Sequence, residues 1–207
     1  MLNLHATVYK PRNLGAKLTN VGPSWNEPDG QCGRNLTVGI LCDTPSFLAY
    51  YDATAAGLML ADEGLFYGGP ASDGAKKFLY ALVQHCLNGT NAITGERGCG
   101  KVDFFNAHLK GDQSALPITT AELPIAETVA QMIAGTDLAG KVAWSNNKAD
   151  PKVHWSSPYD WRADARYAAM VPKVLTQHIQ TFVPGKELGE GFTYDVLSND
   201  NGFLPYP

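Results

Sequence analysis

With 207 residues, 44% of them hydrophobic and 17% charged, the chain is ordinary globular material and long enough for one sizeable core. A net charge of −4 speaks against a general nucleic-acid or anionic-membrane surface, and no apolar run approaches the ~18 residues of a membrane span. Residues 1–13 lack the roughly 7–15-residue apolar core of a secretory signal.

The first strand reading is "NVGPSW", residues 20–25. It runs into Asn26, Glu27 and Pro28, where the proline restricts Glu27 to extended geometry at a strand end or turn. Residues 44–62 predict a helix with Thr44 as N-cap, Pro45 in the first helical position, and Phe47, Tyr51, Ala55 and Leu58 on one face. A strand over 64–70 follows, then a helix over 75–89 with Phe78, Leu82, Val83 and Cys86 at helical spacing. Next come a strand over 101–108 and a helix over 119–135 whose face carries Ile125, Val129 and Met132. The series continues with a strand over 141–146 and a helix over 161–180 that Pro172 should kink, with Tyr167, Val171, Val174 and His178 aligned. A strand over 193–200 closes it.

Strand and helix alternate about every 40 residues, the rhythm of a parallel α/β architecture. A complete (β/α)8 barrel has eight strands in roughly 250 residues. The expectation is therefore a partial (β/α)8 TIM barrel of about five parallel strands with four outer helices. Its N-terminal βα units would be missing and its sheet open on that side.

In such a sheet the C-terminal strand ends and the loops after them face one mouth. Here they carry Asn26 and Glu27, then residues 69–73, His108 and Lys110, residues 146–150, and residues 198–201. Each alone has a structural explanation: Asp73 or Asp150 as a helix cap, His108 as a satisfied core histidine, Lys110 as a solvated cation. Their recurrence at the same phase of every repeat points to a site. The four cysteines, Cys32, Cys42, Cys86 and Cys99, form no C-x-x-C pair, which argues against zinc and leaves their pairing open. Asn35 and Asn88 head N-x-Thr glycosylation sequons.

Several blocks then carry a resemblance: "WNEPD" at 25–29, "FLAYYDATAAGL" at 47–58, "HCLNGTNAITGE" at 85–96, "HLKG" at 108–111, the run 149–178 containing "WRADARYAAM", and "LSNDNGFLPY" at 197–206. Together they resemble glycoside hydrolase family 39, within the clan of retaining barrel glycosidases, and specifically its iduronidase-type members. The likeness spans 25–207, the C-terminal part of the catalytic barrel, and leaves 1–24 as a poorly matching N-terminal segment. It implies retaining hydrolysis of O-glycosyl bonds of terminal α-L-iduronic acid in glycosaminoglycans such as dermatan and heparan sulfate. It also implies a carbohydrate partner, no nucleic acid, no membrane, no cofactor and no metal, and a lysosomal or secreted setting.

By the same resemblance Glu27 is the acid/base and Asn26 holds the sugar beside the reacting carbon. Lys110 meets the uronic carboxylate, and His154, Trp155 and Asp200 are further sugar contacts. His154 stands where the family has Gly. The sharper departure is Lys148, at the position of the family's nucleophilic Glu. A charged ammonium has no lone pair for the displacement, and a cation within ~4–6 Å of Glu27 favours its ionised form when a proton must be donated. The expectation is thus an inactive or strongly impaired relative that at most binds uronic sugars.

Overall fold

The computed structural model describes residues 27–31, 43–72, 76–110, 119–146, 160, 165–166, 168–169, 172 and 195–197. The chain divides into two compact units, 1–105 and 106–207. In the first, Pro28–Gln31 forms a single helical turn (α1), Thr44–Ala61 a long helix (α2), Gly68–Ser72 a strand (β1) and Lys76–Asn88 a helix (α3). Strand β2, Phe104–Ala107, falls on the boundary and follows β1 in the strand order. In the second unit come helix α4, Thr119–Ile133, and strands β3, Ala143–Asn146, and β4, Asp195–Leu197. There β3 neighbours β2 and pairs parallel with β4, in the register Trp144 with Asp195, Ser145 with Val196 and Asn146 with Leu197.

Helix α2 begins one residue earlier than its sequence suggests. Its N-cap is Asp43, not Thr44: the Ser46 N–H donates to the Asp43 carboxylate at 2.7 Å, and Thr44 is already helical. These bonds from Ser46 hold the Asp43 carboxyl below its usual range. An ionised carboxylate accepts from an orphan amide, and meets the positive end of the helix, better than a hydroxyl does. The expected core face holds, with Phe47, Tyr51, Ala55 and Leu58 all buried. On α3, Phe78, Leu82 and Val83 are buried as expected and Leu79 joins them.

Helix α3 lies against β1 and against α2, and the first core forms between them. Phe47 meets Phe78 edge-on at 5.1 Å, and Tyr51 stacks obliquely on Tyr67 at 4.8 Å. Each such ring contributes about 1.5–3 kcal/mol by leaving water, and a well-placed pair adds ~0.5–1.5 kcal/mol. The Tyr51 hydroxyl donates to the Lys101 carbonyl at 3.0 Å. Burial, with the negative neighbours around it, pushes that phenol well above its usual range, so it stays a neutral donor.

Strand β1 is shifted from the expected 64–70 to Gly68–Ser72. Residues 63–65 turn instead, with Leu65 N–H on the Asp62 carbonyl, and the Tyr67 N–H is taken by the Asp103 carboxylate. Glycine is required at the start of the strand, because a Cβ on Gly68 would collide with the Phe104 carbonyl and ring. All five residues of β1 are buried, consistent with a strand covered on both faces.

After α3 the chain is tied down at several points. Cys86 and Cys99 form a disulfide. Inside the ring it closes, the Asn91 side chain accepts from the Ile93 and Thr94 amides, and Thr90 bridges Arg97. Asp52 of α2, wholly buried, takes His85 Nε2 at 2.9 Å and the Ala92 N–H at 2.8 Å. One carboxylate thereby joins two helices and a loop.

In the second unit α4 buries Ile125, Ala126, Val129 and Ile133. Met132, expected on that face, is only half-buried. Pro124 lies inside the helix, where its missing N–H removes one backbone bond. Strand β3 buries Trp144 completely. The expected strand over 20–25 lies outside the described residues, as does most of the helix expected over 161–180; residues 165–166, 168–169 and 172 are helical. No helix among the described residues is long and apolar enough to cross a membrane.

Candidate functional site

Glu27 is half-buried and its backbone is neither helical nor extended: φ is 52°, in the left-handed region. This corrects the extended geometry expected before a proline. Pro28 opens α1, and the Glu27 N–H donates to the Ala71 carbonyl at 3.1 Å, a tertiary bond that overrides the local preference. Ala71 is itself left-handed, with φ 55°. A non-glycine residue in that region costs about 1–2 kcal/mol, so two strained residues are bonded to each other. Backbone strain of this kind gathers at functional sites. The bond fixes Glu27 at the C-terminal end of β1, where Ser72 completes the strand. Ser72 is buried and its hydroxyl has no hydrogen-bond partner, a group that a ligand hydroxyl can satisfy.

A second polar set belongs to the other unit. Asn106 and His108 are buried at the end of β2, Lys110 follows half-buried, and Asn146 at the end of β3 is wholly buried. The Leu109 N–H donates to Asn146 Oδ1 at 3.1 Å, and Asn146 Nδ2 donates to the Leu109 carbonyl at 2.8 Å. One carboxamide thus satisfies both backbone groups of a residue 37 positions away, doing for the loop what a neighbouring strand does inside the sheet. Buried polar groups are costly unless paired, and here they collect at C-terminal strand ends.

Of the residues expected to carry chemistry, Glu27 and Lys110 are each placed just beyond or at the C-terminal end of a strand, in different units. Asn26, Asn35, Lys148, His154, Trp155 and Asp200 lie outside the described residues. Asn88 is exposed at the last position of α3, and its Oδ1 accepts from Arg97 Nη2 at 2.7 Å. Ser72 and Asn146 fall within the strand-end runs 69–73 and 146–150 marked from the sequence, without being singled out there. For Asn146 the available signal is its position as the last polar residue of a strand buried along its whole length.

The model of glycosyl hydrolases family 39 matches residues 22–207. Mouse α-L-iduronidase is 38% identical over 191 residues, covering 89% of this chain and 28% of that protein, and the human enzyme is 37% identical over 190 residues. The chain therefore spans less than a third of the length of these relatives. Among solved structures, the bacterial orthologue of human α-L-iduronidase superposes with a TM-score of 0.71 at 25% identity, covering 96% of this chain and 32% of that one. A monomeric β-xylosidase from Caulobacter crescentus CB15 gives a TM-score of 0.53 at 20% identity over 93% of this chain and 37% of its own, a likeness of fold alone. The fold is α/β with parallel strands, similar to the barrel enzymes of this family, and the chain belongs to glycosyl hydrolases family 39.

Proposed function

We propose that residues 25–207 are the C-terminal part of a family-39 (β/α)8 barrel, with 1–24 outside that module, and that its strand ends recognise a terminal α-L-iduronic acid of a glycosaminoglycan such as dermatan or heparan sulfate. The observation that carries this reading is the strained Glu27, bonded through its amide to the C-terminal end of β1. In retaining glycosidases two carboxyl groups stand ~5–5.5 Å apart. One protonates the leaving oxygen, the other attacks the anomeric carbon, and water then releases the sugar. Glu27 is assigned the acid/base role. Asn26, His154, Trp155 and Asp200 are assigned to the sugar, and Lys110 to its carboxylate, for which a cation is the natural partner.

Lys148 stands at the position of the attacking carboxylate. On this reading the site keeps sugar recognition and loses turnover, since no lone pair is offered to the anomeric carbon while the amine is charged. The Cys86–Cys99 disulfide and the exposed Asn88 sequon support an oxidising setting, lysosomal or secreted, with Asn35 and Asn88 as glycosylation positions.

The test is direct. The chain as it stands should not hydrolyse an aryl α-L-iduronide above background. A complete family barrel carrying this Lys148 segment should be inactive, and its Lys148→Glu revertant active with retention of anomeric configuration. Substantial hydrolysis by the Lys148 form would mean that another group, such as Asp150, attacks the sugar.

A further inference from the structure

We propose that Asn146 is a positioning residue: by pairing with both backbone groups of Leu109 it sets where the Lys110 ammonium meets a sugar carboxylate, and so makes the site prefer acidic sugars to neutral ones. The inference rests on the reading of Lys110 as the uronate partner. Its own basis is the pair of buried bonds, one accepted from the Leu109 N–H at 3.1 Å and one donated to the Leu109 carbonyl at 2.8 Å, made by a side chain with no exposure to solvent.

Strand β2 ends at Ala107, so Leu109 lies two residues beyond the strand. The Asn146 carboxamide presents a donor and an acceptor in one plane and takes both of Leu109's backbone groups. Leu109 is also anchored by its side chain, which is 4% exposed. Its Cα is therefore fixed, and the Cα of Lys110 is about 3.8 Å away across one peptide unit. A lysine carries its charge on a flexible four-carbon stem. Where that charge dwells depends on how well the stem's base is held, and Asn146 holds it from one peptide unit away. Removing the carboxamide leaves two buried backbone groups unsatisfied and frees that base. A charge-assisted hydrogen bond to a carboxylate loses strength steeply with misplacement.

The experiment compares binding of methyl α-L-iduronide with that of its carboxyl-reduced neutral counterpart, by calorimetry or ligand-observed NMR, in the parent chain, Lys110→Met and Asn146→Ala. The parent should prefer the acid roughly ten-fold or more. Lys110→Met should abolish the preference. Asn146→Ala should cut it most of the way to parity while leaving the neutral sugar's affinity within about two-fold. A parent or Lys110→Met result without that pattern overturns the reading of Lys110, and the inference with it. Loss of preference in Lys110→Met but full preference in Asn146→Ala overturns the inference alone, as does an equal weakening of both sugars. Should Asn146→Ala fail to fold, Asn146→Asp serves. Its carboxylate accepts from the Leu109 N–H but repels the Leu109 carbonyl, and protonation restores a donor. The acid-over-neutral ratio should then be low at neutral pH and recover as the introduced carboxyl is protonated; a ratio independent of pH overturns the proposal.

Discussion

In the first unit a carboxylate, Asp52, is buried between His85 and the Ala92 amide; in the second a neutral carboxamide, Asn146, is buried against Leu109. Both are wholly enclosed and both reach across tens of residues, but they hold different things. Asp52 joins two helices to the loop after α3. Asn146 holds the chain where β2 has just ended, one residue from a half-buried cation. A buried carboxylate is costly unless its partners are complete, and removing one of them is worse than never having had the pair. A carboxamide carries no net charge to desolvate, so it can stand beside a lysine without competing with an acidic ligand for it. The contrast teaches that burial and pairing alone do not distinguish a structural polar residue from one that serves a site. On the role proposed above for Asn146, placement at a strand end does.

The largest expected effect comes from breaking the first of these. Asp52→Ala should destabilise the chain by about 3 kcal/mol or more in denaturant melts. It should leave the acid-over-neutral sugar ratio unchanged, and a changed ratio would erase the distinction drawn here. Next, replacing Cys86 and Cys99 by Ser opens a loop with a sequence separation of 13. The entropy released to the unfolded chain predicts a loss of about 3 kcal/mol. A loss much smaller than that would show that the reduced, unfolded chain already restricts this loop.

Smaller and opposite in sign is Ala71→Gly. Relief of the left-handed strain, less the extra backbone freedom of glycine in the unfolded state, should raise stability by up to about 1 kcal/mol. Smallest is Asp43→Ala, which should lower the Tm slightly at neutral pH. Because the Asp43 carboxyl is held below its usual range in the folded chain, its contribution is present above the ordinary aspartate pKa and is lost as pH falls through the lowered value. The parent and variant melts should therefore converge under strong acid; a gap that persists there would assign the effect to helix propensity rather than to the cap.

Much of the helical part of this molecule was legible before any coordinates. The face carrying Phe47, Tyr51, Ala55 and Leu58 repeats at helical spacing, and burial follows it residue by residue. The errors occurred where a local rule met a competing bond, near or far along the chain. Thr44 looks like a cap, but Asp43 competes for the same amide and offers charge. Glu27 precedes a proline, yet its amide is claimed by Ala71 in another segment. Leu65 and Tyr67 are as apolar as strand residues, but the backbone of Leu65 is committed to a turn and that of Tyr67 to Asp103. Four cysteines allow three complete pairings, and nothing in their spacing selects the one between Cys86 and Cys99. As for the site, Glu27 and Lys110 could be named from the sequence. Asn146 falls within the strand-end run 146–150, but its pairing with Leu109 could not be read, because a side chain that mimics a strand partner leaves no periodic trace.

The disulfide that closes residues 86–99 also changes what happens when the chain is cut. The stretch from Ala92 to Arg97 is exposed at every residue, and Arg97 offers a basic cleavage point. A single nick there would leave both pieces covalently joined, with α2 and α3 still held by Asp52 and the packing between them. The break would be silent on a non-reducing gel and appear as two fragments only after a thiol is added. A protease-rich compartment could thus clip this loop without taking the module apart.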